Sequence, residues 1–139
     1  MKKNIKYLLL GIVAVLAACG SDPATETEEK IFMGKLAGTW QVSVAAVDGE
    51  DISGAFDGLE IAFSTGKSIT VTNPVDPIWP ASGTFELIKV GNTFSIDRSD
   101  GVVISVVELT ATSLVMQFHY NAGARLSSVS GEYTFEMNQ

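Results

Sequence analysis

The sequence predicts an all-β domain built as an eight-stranded antiparallel up-and-down barrel. Three observations predict it: apolar and polar residues alternate with period two from residue 38 onward, glycine and aspartate turns bound the alternating runs, and no long helical period follows the leader. In order, Trp40, Val42 and Val44 alternate with Gln41, Ser43 and Ala45; Leu59, Ile61 and Phe63 with Glu60 and Ala62; Ile69 and Val71 with Ser68, Thr70 and Thr72. Phe85 and Leu87 then alternate with Thr84 and Glu86, and Phe94 and Ile96 with Thr93, Ser95 and Asp97. Residues 102–109 are apolar on both phases, which leaves their inward face open. Leu114, Met116, Phe118 and Tyr120 form the seventh inward row, and Tyr133, Phe135 and Met137 the eighth.

Short connections at Thr65-Gly66, Val90-Gly91-Asn92 and Thr110 to Ser113 read as hairpins, so sequential strands are expected to be antiparallel neighbours. Closing such a meander removes both sheet edges. A two-sheet β-sandwich is the alternative, left open by the length of the loop at 48–57. In a barrel, strand parity gathers the loops at 48–57, 73–82, 98–101 and 121–130 at one end, the mouth, and sets both termini at the other, the floor. Asp48, Glu50, Asp51, Asp57, Asp76, Asp97 and Asp100 then stand at the mouth with Arg98 and Arg125, and Lys30, Lys35, Lys67 and Lys89 at the floor. That polarity suits a floor turned toward an anionic surface; it is also what polar Asp-Gly turn chemistry produces.

Lys2, Lys3 and Lys6 precede the apolar run from Tyr7 to Ala18, a charged n-region and short h-region of secretory-signal type. The run ends in Leu16-Ala17-Ala18-Cys19, which resembles the lipobox of bacterial lipoproteins. The resemblance implies removal of residues 1–18 and acylation, palmitate among the chains, of Cys19, the single cysteine. Two or three acyl chains would hold the domain on a membrane essentially permanently. Residues 20–29 carry no aromatic or large aliphatic side chain and read as a disordered acidic tether. An acidic run after a lipidated cysteine also resembles the surface-export signals of some Gram-negative lipoproteins. The expected organisation is a signal peptide at 1–18, a lipidated cysteine and flexible linker at 19–30, and the barrel domain at 31–139.

Leu36-Ala37-Gly38-Thr39-Trp40, opening the first strand of this series, resembles the Gly-x-Trp start of lipocalin and wider calycin barrels, in particular lipocalin-like lipoproteins of Gram-negative bacteria. The resemblance implies that Gly38 lets the chain turn into the barrel floor and that Trp40 plugs it beneath a basic side chain. Arg125 is the nearest basic residue to the last strand and would stack on Trp40 by cation–π attraction. The resemblance further implies an outer-membrane location, facing the periplasm or the cell exterior, and a small hydrophobic or amphipathic ligand.

Composition narrows the function classes. Hydrophobic residues make up 46% of the chain and aromatics 9%, enough for one packed domain. Beyond residue 18, six bases face 16 acids, a net charge of about −10 that argues against nucleic acid. One cysteine excludes a disulfide framework and a thiolate zinc cage. No phosphate loop, dinucleotide fingerprint, nucleophile elbow, EF-hand spacing or metal-ligand cluster is present, and the single His119 falls on the outward phase. No enzyme activity, cofactor or metal is therefore expected.

Phe63, Phe85, Phe94, Phe118, Tyr120 and Phe135 point inward by phase; so many large side chains argue for a mostly filled core, and, with no inward charge expected, any residual pocket they line would be hydrophobic. The loop Asn73-Pro74-Val75-Asp76-Pro77-Ile78-Trp79-Pro80 is stiffened by its prolines, and Trp79 is read as a lid over the ligand, an exposed contact or core. Two hypotheses follow. One is a binding protein with those aromatics and Trp79 around a small ligand; the other is a filled barrel contacting an envelope protein or glycan through its loops. A cavity separates the two.

Overall fold

A computed structural model describes residues 23–123 and 130–139. The leader, Cys19 and Arg125 lie outside the described residues. The chain opens with helix α1 (Pro23–Leu36) and continues through strands β1 (Gly38–Val47), β2 (Glu50–Asp51), β3 (Glu60–Phe63), β4 (Ser68–Thr72) and β5 (Ser82–Val90). The remaining strands are β6 (Thr93–Arg98), β7 (Val103–Leu109), β8 (Ser113–Tyr120) and β9 (Gly131–Asn138). Every pairing is antiparallel; β1 pairs with β3, each strand from β3 to β8 pairs with the next, and β9 returns to pair with β1. Strand β1 and strands β3 to β9 thus close the expected eight-stranded barrel, and the sandwich alternative is set aside. The two-residue β2 is a small hairpin added on β1, followed by a 3₁₀ turn at Ser53–Phe56.

Alternation delivers most of the interior as the sequence indicates, and bulges decide one expectation it gets wrong and mark the strand it leaves open. Between Val42 and Val44 the β1–β9 register shifts by one residue, leaving Ser43 extra; its Oγ donates to the Glu136 carbonyl at 2.9 Å. A bulge of this kind inverts the phase. Ala45 and Val47 therefore point inward, and Val44, expected inside with Trp40 and Val42, is 38% exposed. A second bulge, between Val106 and Glu108 in β7, makes Val107 the extra residue. It settles the open face of residues 102–109: Ile104 and Val106 are inside, and Val103 and Val107 outside.

Helix α1 replaces much of the expected tether. The acidic composition hid it, because Glu and Ala are good helix formers and Pro is tolerated in a first turn. Its apolar contribution is short but periodic. Phe32, Met33 and Leu36 share one face, and Met33 and Leu36 are buried against the floor. The Phe32 ring packs 5.2 Å from that of Phe94, and Trp40 Nε1 donates to the Leu36 carbonyl at 2.8 Å. Gly38, at φ +143°, joins helix to strand through a backbone conformation that side-chain-bearing residues rarely adopt.

Two ion pairs tie the helix to separate hairpins. Lys67 Nζ lies 3.1 Å from Glu29 and 2.8 Å from Glu86, and Lys89 binds Glu28. Two of the four floor lysines expected to face an anionic surface are thus engaged by acids of α1. Hydrogen bonding to Glu86, then to Glu29, holds the Lys67 ammonium above its ordinary pKa of 10.5. A raised lysine pKa stabilises the fold below the unfolded value and stops doing so as pH climbs through the folded one. With the side chain one-third exposed, Lys67→Met is expected to cost about 1 kcal/mol or less. The difference in melting temperature from wild type should be present at pH 9 and vanish in strong alkali, as thermal denaturation would show.

Candidate functional site

The site is the mouth half of the barrel interior, where loop residues meet the inward rows of β6, β8 and β9. Within the loop between β4 and β5, Val75 and Trp79 exchange backbone hydrogen bonds of 3.0 and 2.8 Å, which turns Ile78 and Trp79 toward the interior. Trp79 is fully buried. Its ring meets those of Phe118 and Phe135 edge-on, each at a centroid distance of 5.6 Å. Phe56, from the 3₁₀ turn, comes in from the other side and meets Phe135 edge-on at 5.0 Å. Below, Phe118, Tyr133 and Phe135 stack nearly parallel, with centroids 5.7 to 6.2 Å apart. Burial, then Tyr120 and Asp48, push the Tyr133 phenol above its ordinary pKa.

Arg98 holds this arrangement together. It shares the inward phase of Phe94 and Ile96 on β6 and is 5% exposed, not a solvated mouth charge. Its guanidinium carbon lies 5.0 Å from the centre of the Trp79 ring and 6.0 Å from that of Phe118. Nη1 donates to the Ile78 carbonyl at 2.8 Å, Nε donates to Asp100 at 3.1 Å, and Nη2 pairs with the second Asp100 oxygen. Desolvating a guanidinium is affordable only with such partners. One cation therefore fixes a loop carbonyl, a turn carboxylate and two aromatic faces. The sequence signal was its parity with Phe94 and Ile96, obscured by its position beside Asp100-Gly101.

The expected lining residues separate into groups. Trp79, Phe118 and Phe135 come together; Phe63 and Phe85 form their own edge-on pair at 5.7 Å. Phe94 packs on α1 at the floor, and Tyr120 is half-buried, edge-on to Tyr133 at 6.5 Å. Trp40 is fully buried at the floor. The cation–π contact expected there from Arg125 falls outside the described residues, whereas Arg98 makes one at the opposite end. His119 is exposed on the outer wall, 3.8 Å from Glu132.

These side chains fill the interior they enclose. The cleft that reaches Trp79, between Ile69, Pro80, Gly83, Arg98 and Ser99, holds about 30 Å³, room for about one water molecule. Among the described residues, one buried side-chain polar atom lacks a hydrogen-bond partner: Trp79 Nε1. A buried unpaired donor costs about 1–3 kcal/mol.

No protein-family model matches the sequence, and no curated protein matches it. Among solved structures, the chain is similar to bovine odorant binding protein, determined in complex with its natural ligand. The two are 16% identical with a TM-score of 0.44, over 76% of this chain and 71% of that one.

The mouth network predicts a non-additive pair of substitutions. Asp100→Ala leaves the buried guanidinium without its carboxylate, which is itself 40% exposed, and is expected to cost about 1–3 kcal/mol. Arg98→Met with Asp100→Ala removes both charges and is expected to be less damaging than Asp100→Ala alone. Urea denaturation of the three proteins checks the order.

Proposed function

We propose that the chain is a non-enzymatic outer-membrane lipoprotein, anchored through acylated Cys19, whose barrel takes a small hydrophobic or amphipathic ligand in the place that Trp79 fills at rest. One observation carries the ligand reading. The group occupying the mouth half of the barrel is contributed by a loop, and its indole N–H is buried without a partner. A loop-borne side chain can withdraw without breaking a barrel strand pairing. A ligand with an apolar body would pack on Phe118 and Phe135 as the indole does, and withdrawal of Trp79 would bring its unpartnered N–H to water, relieving the cost of leaving it unbonded. Eight-stranded barrels of this width are either filled by their own side chains or hold one small ligand. This one stands at the boundary between the two.

The filled interior also supports a second reading, a solid barrel that contacts an envelope protein or glycan through its mouth loops. Asp48, Glu50, Asp51 and Asp57 are exposed there. Trp79 is buried and offers no surface to such a partner in this arrangement.

Trp79→Ala distinguishes the readings. Truncating a fully buried tryptophan is expected to cost about 3–5 kcal/mol. In the ligand reading the folded variant binds an apolar fluorescent probe at least about tenfold more tightly than wild type, because the probe no longer competes with the indole. A folded variant that enhances no probe leaves the solid barrel. For the anchor, Cys19→Ala is expected to move the protein from the membrane to the soluble fraction, and retention in the membrane would refute it.

A further inference from the structure

The outer wall carries an apolar strip that the fold leaves unused. Ile31 of α1, Val90 at the end of β5 and Val107, the bulge residue of β7, are 57%, 55% and 58% exposed. The strand ladders bring the two valines level. Val90 is opposite Thr93, and the pairing of Ser95 with Ser105 sets Thr93 beside the position of Val107. Ile31 joins them from the helix, since it and Val107 line one groove of about 310 Å³ between α1 and the β6–β7 wall. The exposed Lys35 lines the same groove, as does Glu28, whose charge is engaged by Lys89.

The chain outside the described residues says what this strip faces. Helix α1 begins at Pro23, four positions after Cys19, so at most about 14 Å of backbone separates the helix from the acylated sulfur. A disordered tether reaching residue 29 would have allowed roughly 35 Å. Ion pairs from Glu28 and Glu29 fasten α1 to the barrel floor. The bilayer that receives the acyl chains is therefore held close to α1 and the floor hairpins, where branched aliphatic side chains stand uncovered beside a lysine. Apolar side chains rimmed by cationic ones are the composition that rests at a headgroup–acyl boundary.

We infer that Ile31, Val90 and Val107 seat the barrel directly on the bilayer that holds its anchor, with Lys35 toward anionic headgroups and the mouth directed away. The inference rests on the lipid anchor proposed above. Contact through α1 fixes the orientation of the domain, which a flexible tether would leave free.

The test uses the full acylated protein in vesicles of phosphatidylethanolamine and phosphatidylglycerol. Acylation blocks the Cys19 thiol, so Ile31→Cys, Val90→Cys or Val107→Cys each supplies one labelling site for an environment-sensitive fluorophore; Ser99→Cys at the mouth is the control. Labels at 31, 90 and 107 are expected to shift to the blue and to be quenched several-fold more by a lipid-phase quencher than the label at 99. Adding Val107→Asp should abolish the shift at 90 while the protein stays on the vesicles. An acylated, vesicle-bound protein whose label at 107 behaves like that at 99 overturns the seating alone. So does a label shielded from lipid and water quenchers alike, which would indicate a second copy on this face. Absence of acyl mass on Cys19 overturns the anchor and the seating together.

Discussion

A single buried cation organises the upper half of this barrel. Arg98 sits on the inward row of β6, where a hydrophobic residue would ordinarily stand, and is stable there through its bonds to Asp100 and the Ile78 carbonyl. Those bonds hold the proline-rich loop down, and the loop in turn delivers Trp79 over Phe118 and Phe135. Remove the cation and the loop loses the partner of its Ile78 carbonyl, while the indole loses the positive charge against its π face. The closed mouth thus rests on one inward-facing charge together with the Val75–Trp79 bridge within the loop, not on the barrel ladder.

The two ends of the barrel are closed by different physics. At the floor, α1 covers the hairpins with Met33 and Leu36 and is held by partly exposed ion pairs that are individually weak. Its closure is backed by Trp40, whose indole N–H is satisfied by the Leu36 carbonyl. At the mouth the second tryptophan has no such partner. One indole is fully bonded and belongs to a barrel strand; the other is unbonded and belongs to a loop. That asymmetry is why the mouth, and not the floor, is where a ligand is proposed.

Most of the fold was legible because period-two alternation is a direct readout of a half-buried strand: the rows from Leu59 to Phe63 and from Tyr133 to Met137 needed nothing else. Phase failed at Val44, where an inserted residue inverts it, and a bulge leaves no mark in composition; residues 102–109, apolar on both phases, gave no phase to read. Helix α1 was hidden because its apolar face is short and its other residues are those of a solvated tether, so docking on the barrel decides its structure. In the site, Phe118 and Phe135 were readable from phase. The inward placement of Arg98 was not, because a charge beside an Asp-Gly turn has an obvious solvent explanation; only its parity with Ile96 pointed inside. Whether the aromatics enclosed a space or filled it depended on volumes that alternation does not encode.

The resting state proposed here, an eight-stranded antiparallel barrel occupied by its own Trp79, can be read from proton cross-relaxation in the unliganded protein. Dipolar contacts from the Trp79 indole to the Phe118 and Phe135 rings, together with slow solvent exchange of the Trp79 indole N–H, are the expected result. An indole N–H that exchanges freely, with no contact to either ring, would contradict the closed mouth and with it the role assigned to Trp79.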